Sequence, residues 1–149
     1  MAPTISMMDI PPAAPIPGHV REFLEGQLYP TLSTVGADGT PHQAVIWYRL
    51  EPDGRVLVNS RSPRRWPTEL RTDGRASLAF TDLEDPMRWV GLQAVVEEVI
   101  DDVATARDDI VALAERYEEA DDESVASFRT QQRVSFRLRV IAVHDHLED

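Results

Sequence analysis

The chain has 149 residues, 42% of them apolar, and a formal net charge of −11 at pH 7, which fits one domain with its own core. It has no cysteine, which excludes disulfides, thiolate metal sites and a cysteine nucleophile and is consistent with a reducing cytoplasm. No apolar run approaches the roughly 20 residues that span a bilayer. The acidity argues against nucleic-acid binding, which needs a basic face. We therefore expect a cytoplasmic protein whose partners are neither membranes nor nucleic acids.

The first 17 residues are rich in proline and lack the basic start and apolar centre of a secretory signal. This composition favours an extended arm that lies on the protein surface or on a partner subunit, with a disordered tail as the alternative. Residues 18–149 then form the single predicted domain.

The first half of this domain alternates strand patterns with tight turns. A short helix is predicted over residues 18–28 and a strand over 31–35. An Asp-Gly turn leads into a strand over 42–50, and a second Asp-Gly turn leads into one over 55–60. Apolar residues fall on both faces of the 42–50 segment. We therefore expect that strand to be buried on both sides, as in a barrel wall or a subunit interface.

The second half combines longer strands with an amphipathic helix. Its predicted elements are a short helix over 67–74, strands over 75–82 and 87–100, a helix over 102–120, a short helix over 125–131 and a last strand over 134–147. In the long helix, apolar residues at 110, 113, 114 and 117 form one stripe. In the last strand, the residues at 134, 136, 138, 140 and 142 share an apolar face. Gly91 marks a bulge or a close backbone approach. Because no βαβ rhythm occurs, an antiparallel barrel with peripheral helices is the best fit.

The segment "NSRSPRRW", residues 59–66, is basic within an acidic chain whose cationic side chains are all arginine. Arg61, Arg64 and Arg65, together with nearby serines and the start of the next helix, are typical of a phosphate site. The alternative is a surface loop whose arginines pair with acidic residues.

Other candidate residues carry weaker signals. His144 and His146 face the same side of a strand, as metal ligands sometimes do, but no third ligand is evident and a solvated tail is favoured, so no metal site is predicted. His42 could face a ligand cleft. No Gly-rich phosphate loop, nucleophile elbow or HExxH motif occurs. No catalytic residue is therefore assigned, and redox chemistry supplied by a bound cofactor would need none.

Three segments in order resemble a known family: "FLEGQLYPTLSTVGADGTPHQAVIWYRLEPDG", "VLVNSRSPRRWPTELRTDGRASLAF" and "DPMRWVGLQAVVEEV". Over residues 18–143 the chain resembles the pyridoxamine 5′-phosphate oxidase-like split β-barrel superfamily, in its branch of flavin- and deazaflavin-dependent oxidoreductases. The resemblance implies a homodimer of six-stranded antiparallel split barrels with two cofactor sites at the interface. It also implies transfer of a hydride between the deazaflavin coenzyme F420 and a small unsaturated organic substrate. The alternatives are an FMN-dependent oxidoreductase, a non-catalytic barrel that binds flavin or haem, and a dimeric scaffold with an inactive site.

The resemblance also assigns site residues. The strand beside the cofactor ring would contain Val45, Ile46 and Trp47, and the polar end of the third strand Asn59 and Ser60. The phosphate loop would contain Arg61, Arg64, Arg65 and Trp66, and the partner-chain segment that closes the site Arg88, Trp89 and Val90.

The chain departs from the family pattern at two of the loop positions. Trp66 stands where relatives carry lysine, and Glu69 stands where they carry asparagine. One phosphate-binding cation is therefore lost and a carboxylate is gained. We expect either that Arg61 or Arg65 compensates or that the site takes another ligand or none.

Overall fold

Residues 10–148, the part of the chain that this computed structural model describes, form one antiparallel sheet with four helices around it. The helices are α1 (Gly18–Leu24), α2 (Arg65–Thr72), α3 (Val103–Arg116) and α4 (Asp122–Phe128). The strands are β1 (Thr31–Val35), β2 (Pro41–Val45), β3 (Arg49–Leu50), β4 (Val56–Arg61), β5 (Arg75–Thr81), β6 (Trp89–Ile100) and β7 (Arg133–His146). The predicted class, mainly antiparallel β with peripheral helices, is confirmed.

The sheet curls because its two edge strands are almost continuous in the chain. Its strand order is β2-β1-β5-β6-β7-β4-β3, so β2 and β3 lie at opposite edges. Residues 46–48 connect these edges, and the four Cα–Cα steps from Val45 to Arg49 span at most about 14 Å. The edges must therefore approach each other, which curls the sheet into a half-barrel, as in a split β-barrel.

The strand predicted over 42–50 is thus two strands, and within this single chain β2 is buried on one side only; burial of its other side in a subunit interface stays a prediction. Every second residue of β2 is exposed, and Val45 retains 69% of its accessible surface. Burial on both faces occurs instead in β4, where Val56 to Ser60 are all buried. One side of β4 faces the barrel core. The other lies beneath α3, where the Asn59 side-chain amide donates to the Ala106 carbonyl at 2.8 Å.

The connecting residues 46–48 are held by the neighbouring helices. The Tyr48 hydroxyl donates to the Leu24 carbonyl at 2.6 Å, and burial raises the pKa of Tyr48, which keeps this donor protonated. The Arg116 guanidinium donates to the Tyr48 carbonyl at 2.9 Å, and the Trp47 ring stacks on Tyr117 with centroids 5.1 Å apart. These contacts fix the point at which the barrel closes.

The two predicted apolar stripes pack as expected. Val134, Phe136, Leu138 and Val140 of β7 are buried in the barrel core, whereas Ala142 is half-buried. On α3, the buried residues are Ile110, Leu113, Ala114 and, directly after the helix, Tyr117. Periodicity therefore predicted the buried face of α3, and that of β7 as far as Val140, but not the position of Ala142, which an irregularity after Val140 places opposite Gln93 on the outer face.

At Gly91 the Trp89 side chain lies close to the backbone, and the strand has no bulge at this position. A Cβ at this position would lie 2.9 Å from the Trp89 ring, whereas the irregularities of β6 fall after Gln93 and Val96. The absence of a side chain at Gly91 therefore lets the Trp89 ring lie flat along the strand.

Some helix ends differ from the prediction by a few residues. α1 ends at Leu24, four residues early, and α2 begins at Arg65, two residues early. α4 begins at Asp122 because the Asp121 carboxylate caps it, accepting from the Ser124 amide at 2.8 Å.

The described part of the N-terminal arm lies along β7 of its own chain. The Ala14 amide donates to the Val140 carbonyl at 2.8 Å, and the Arg139 guanidinium donates to the Pro11 carbonyl at 3.2 Å. The rest of the predicted arm, residues 1–9, lies outside the described residues.

Within residues 10–148, no helix combines the length and the apolar character needed to cross a bilayer.

Candidate functional site

A cavity of about 750 Å³ lies where β2, the end of β4, the start of α2 and the start of β7 meet. Its volume is within the range of about 300–1,000 Å³ that is common for small-molecule sites. Among the residues that line it are Val45, Ile46, Trp47, Asn59, Ser60, Arg61, Arg64, Arg65 and Trp66. The fold therefore brings together most of the residues that the family resemblance assigns to the site.

The arginines of this cavity differ from all the others in the described residues. Arg61, Arg64, Arg65 and Arg133 line the cavity, and their side chains make no hydrogen bond or ion pair within residues 10–148. Every other arginine is engaged: Arg71 with Asp101, for example, Arg137 with Glu51, and Arg116 with backbone carbonyls. The alternative that the basic loop pairs with surface carboxylates is therefore wrong, and the cavity carries positive charge without a counter-charge.

The start of α2 adds further donors to the same wall. Arg64 is the N-cap residue, and no side chain accepts a hydrogen bond from the first amides of the helix. Unsatisfied amides and the helix dipole both favour an anion at such a position. Trp66, by contrast, is buried, and its ring lies 6.3 Å from that of Phe136, so this residue contributes apolar wall and no charge.

Arg133 is the buried member of the arginine set. It lies at the first position of β7 and pairs in register with Arg61 of β4. Only 7% of its surface is exposed, and its guanidinium carbon lies 5.4 Å from the centre of the Phe128 ring. Burial, with the nearby charges of Arg64 and Arg61, lowers the pKa of Arg133 to about 10. The residue is still a cation at pH 7.

Three buried side-chain nitrogen or oxygen atoms in the described residues have no hydrogen-bond partner, and all three belong to residues of this cavity. They are Asn59 Oδ1, Gln131 Oε1 and Arg133 Nε. The orientation of the Asn59 amide is fixed because its Nδ2 donates to the Ala106 carbonyl and to Ser135 Oγ, each at 2.8 Å. Buried polar atoms are rarely left unpaired, so these atoms indicate where a bound molecule would supply partners.

Glu69 does not place its carboxylate among the arginines. It is buried, accepts from the Thr34 hydroxyl at 2.9 Å and from His42 Nδ1 at 2.8 Å, and is absent from the cavity lining. Thr34 and His42 both line the cavity. Gly36 leaves room for this cluster, since a Cβ there would lie 3.2 Å from both the Glu69 carboxylate and the His42 ring. The carboxylate thus orients His42 at the cavity wall.

The assigned partner-chain segment lies outside this cavity. Arg88 is paired with Asp82 and donates to the Leu147 carbonyl at 3.0 Å. The Trp89 ring stacks on His146 with centroids 4.2 Å apart. Val90 is fully buried in the core, so its side chain is not available to a ligand of another subunit. No group of three or more His, Asp or Glu side chains within residues 10–148 is arranged to hold a metal ion.

Sequence reasoning missed Arg133 and Gln131 and gave little weight to His42. Arg133 directly precedes the predicted last strand, and no local pattern distinguishes it from the other arginines. Only the pairing of β4 with β7 places it beside Arg61. For His42, the preceding "DGTP" turn was a signal, but its partner Glu69 belongs to a distant helix.

Comparisons with known proteins agree with this architecture. The sequence profile of the pyridoxamine 5′-phosphate oxidase family matches residues 16–146. No curated protein matches the chain. A solved structure described as an F420 reductase is 22% identical, with a TM-score of 0.76 over 87% of this chain and 98% of its own.

Two other solved structures are similar. The conserved hypothetical protein Rv2991 from Mycobacterium tuberculosis is 23% identical, with a TM-score of 0.71 over 90% of this chain and 87% of its own. The haem storage protein HutZ from Vibrio cholerae is 19% identical, with a TM-score of 0.66 over 85% of this chain and 92% of its own. At these identities the structures establish the fold, and the family profile extends over most of the sequence. The chain therefore belongs to the pyridoxamine 5′-phosphate oxidase family.

Proposed function

We propose that this protein is an oxidoreductase that uses the deazaflavin coenzyme F420 to reduce a small unsaturated organic substrate. The observation that carries this proposal is the set of unpaired arginines that lines one cavity of about 750 Å³ beside an indole ring. The chain is acidic and pairs its other arginines, yet it leaves these cations unpaired. This arrangement favours an anionic ligand in the cavity. The similarity to a solved F420 reductase supports the choice of cofactor.

The residues of the cavity fit the two ends of such a cofactor. Arg64 and Arg65, at the uncapped start of α2, would hold phosphate. Val45, Ile46 and Trp47 supply an apolar wall suited to a planar ring. The wall is rigid, because Trp47 stacks on Tyr117 and Tyr48 is bonded to α1.

The bound deazaflavin would supply the hydride, and the protein would position the substrate beside it and exclude water. We assign no side chain as an acid. The final proton would come from solvent.

The same proposal includes a homodimer. Along the outer face of the sheet, the aligned residues Val45, Thr31, Ala79, Gly91 and His144 form one row, and Gln43, Ser33, Ser77 and Gln93 form the next. Neither row contains an acidic residue or an arginine, in a chain with 28% charged residues. We name these nine residues the uncharged face. A second copy of the chain is the occupant that this surface fits.

A dimer through the uncharged face would also complete the cavity. Val45 belongs to both, and Trp89 borders a shallow 230 Å³ depression on the same face with Thr31 and Ser33. A partner packed there would bring its Trp89 towards the cavity, as the family resemblance implies.

FMN is the second candidate, and the charge distribution favours it in one respect. The tail of F420 carries several carboxylates, which a chain of net charge −11 repels, whereas the charge of FMN is compact. Both molecules join a planar ring to phosphate through a hydroxylated chain, so the cavity suits either.

The cofactor can be identified directly. The purified protein is denatured, the released molecule is identified by mass and absorbance, and the apo protein is titrated with F420 and with FMN. We expect one of them to bind at micromolar concentration or tighter, and we expect replacement of Arg64 and Arg65 by alanine to weaken binding at least about tenfold. Replacement of Arg129, a surface arginine paired with Asp108, is the control.

Three results would contradict the proposal. If neither cofactor binds to the apo protein, the oxidoreductase assignment fails. If the denatured protein releases haem, a non-catalytic haem-binding barrel is favoured. Binding without oxidation of the reduced cofactor, across a panel of unsaturated substrates, would favour a barrel that only sequesters the flavin.

A further inference from the structure

Arg133 is in an energetically unfavourable position unless an anion binds beside it. Arg133 is buried and pairs in register with Arg61 across the β4–β7 pair, and the charges of Arg64 and Arg61 act on its guanidinium. Like charges placed opposite each other on neighbouring strands are destabilising, and a buried charge without a counter-charge is costly. Within residues 10–148 no carboxylate forms an ion pair with any of these three side chains.

The neighbouring buried atoms that lack hydrogen-bond partners indicate which other groups the bound molecule would contain. Asn59 Oδ1 and Gln131 Oε1 are acceptors, and phosphate oxygens without protons cannot satisfy them. Because the Asn59 amide is held by Ala106 and Ser135, it cannot rotate to present its donor instead. A bound molecule would satisfy these acceptors with hydroxyl or N–H groups placed close to its anionic group.

We propose that Arg133, with Arg61 and Arg64, binds the phosphate of a phosphorylated polyol, and that Asn59 and Gln131 accept hydrogen bonds from the adjacent hydroxyl groups. The proposal rests on the proposed function in that F420 and FMN both contain such a chain. It adds a phosphate contact from the start of β7 to those from the loop before α2. β7 thus supplies a cation to a wall in which Trp66 carries none.

A buried arginine is suited to this role. A guanidinium can donate two parallel hydrogen bonds to phosphate oxygens, and such charge-assisted bonds are stronger where water is excluded. The Phe128 ring beneath Arg133 and the neighbouring strand hold the side chain in place before the ligand arrives. Less conformational entropy is then lost on binding.

The test compares ligands with and without the phosphate; FMN and riboflavin differ only by phosphate, whereas F420 and its counterpart differ by the phosphate and the carboxylate tail attached to it. Wild-type protein, Arg133→Gln and the surface control Arg129→Gln are titrated with FMN and riboflavin, and with F420 and its phosphate-free counterpart, 8-hydroxy-5-deazariboflavin. We expect Arg133→Gln to raise the Kd of whichever phosphorylated cofactor binds by at least about tenfold and to leave the Kd of its phosphate-free counterpart nearly unchanged. Arg129→Gln should behave as wild type with all four ligands.

A second experiment uses inorganic phosphate and therefore does not depend on the cofactor. We expect phosphate to raise the melting temperature of the wild-type protein, and to raise that of Arg133→Gln much less. Without phosphate, Arg133→Gln should melt at or above the wild-type temperature because a buried unpaired cation is removed. This second measurement separates lost binding from lost folding.

The outcomes distinguish this inference from the proposed function. If no flavin or deazaflavin binds but phosphate stabilises the protein through Arg133, the proposed function fails and the phosphate site stands. If a phosphorylated cofactor binds equally well to wild type and Arg133→Gln, the inference is overturned and the proposed function stands. An equal loss of affinity for the phosphorylated and phosphate-free ligands would also overturn it, because Arg133 would then act on the ring or the fold.

The hydroxyl contacts have their own variant. Gln131→Leu removes a hydrogen-bond acceptor. We expect it to raise the Kd of FMN and of riboflavin, or of the two deazaflavins, by the same factor. A loss confined to the phosphorylated member of the pair would contradict this part of the proposal.

Discussion

The arginines of this chain fall into two groups: those that are bonded within the protein and those that line the cavity unpaired. Most arginines outside the cavity pair with carboxylates, as Arg75 does with Asp73 and Arg71 with Asp101, and their hydrogen bonds lower the pKa of both carboxyls. Such exposed pairs stabilise a protein only slightly. The unpaired arginines of the cavity are therefore the informative ones, because they remain available to a ligand.

Glu69 has the clearest structural role of any single acidic residue. Its buried carboxylate accepts hydrogen bonds from Thr34 of β1 and His42 of β2, which attaches α2 to the sheet edge. We expect Glu69→Gln to lower the free energy of unfolding by about 1–2 kcal/mol, because a neutral amide replaces a charge-assisted acceptor and one of its atoms becomes a donor. Urea denaturation measures this difference.

The control for this prediction is Glu22→Gln, an exposed residue of α1, which should change the stability by less than about 0.5 kcal/mol. Equal stability of Glu69→Gln and wild type would show that the Thr34 and His42 contacts contribute nothing to folding.

At the scale of elements, the break between β2 and β3 and the packing of α3 define the cavity. The break turns Ile46 and Trp47 away from a regular ladder and into the cavity wall. Helix α3 covers β4 and β7, places Ile110 at the cavity, and supplies the Ala106 carbonyl that orients Asn59. The position of α3 is thus coupled to the proposed ligand contacts.

The N-cap of α3 offers a test at this scale. The Asp102 side chain accepts from the Thr105 amide at 3.3 Å and from its hydroxyl at 2.5 Å. We expect Asp102→Ala to destabilise the protein by about 1 kcal/mol, which is typical for loss of such a cap. Glu115→Ala in the same helix, an exposed position, is the control and should be neutral within about 0.5 kcal/mol. Thermal unfolding that is equally affected by both changes would contradict a specific capping role.

For the whole molecule, the decisive feature is the uncharged face on the outside of the sheet. Charged residues make up 28% of the chain, yet this face contains no Asp, Glu or Arg. Val45 projects from it with most of its surface exposed, at the rim of the cavity. Assembly and ligand binding are therefore expected to depend on the same surface.

Val45→Asp tests this dependence. We expect the wild-type protein to sediment as a dimer of 16.8 kDa chains, and the variant to dissociate at concentrations at least about tenfold higher, because a carboxylate would be desolvated in the interface. The same variant should bind the cofactor more weakly. The control, Ala126→Asp, adds a charge to the exposed side of α4 and should leave sedimentation unchanged. A wild-type monomer would contradict the dimer outright.

Local patterns in the sequence determined the elements and much of the candidate site. Alternation predicted the core face of β7, helical spacing predicted the buried stripe of α3, and the order of motifs indicated the family that the sequence profile establishes. The basic loop was also evident, because three arginines fall within eight residues. These features depend on neighbours in the chain, so a single sequence contains them.

Only the tertiary structure decided the rest. The split of the 42–50 segment follows from barrel closure, since its two halves pair with different edges of the sheet. The pairing of His42 with Glu69 and the placement of Arg133 beside Arg61 each join segments that are far apart in sequence. The physical reason is the same in each case: burial and hydrogen bonding between distant segments are set by the packing of the whole chain, and no local periodicity records them.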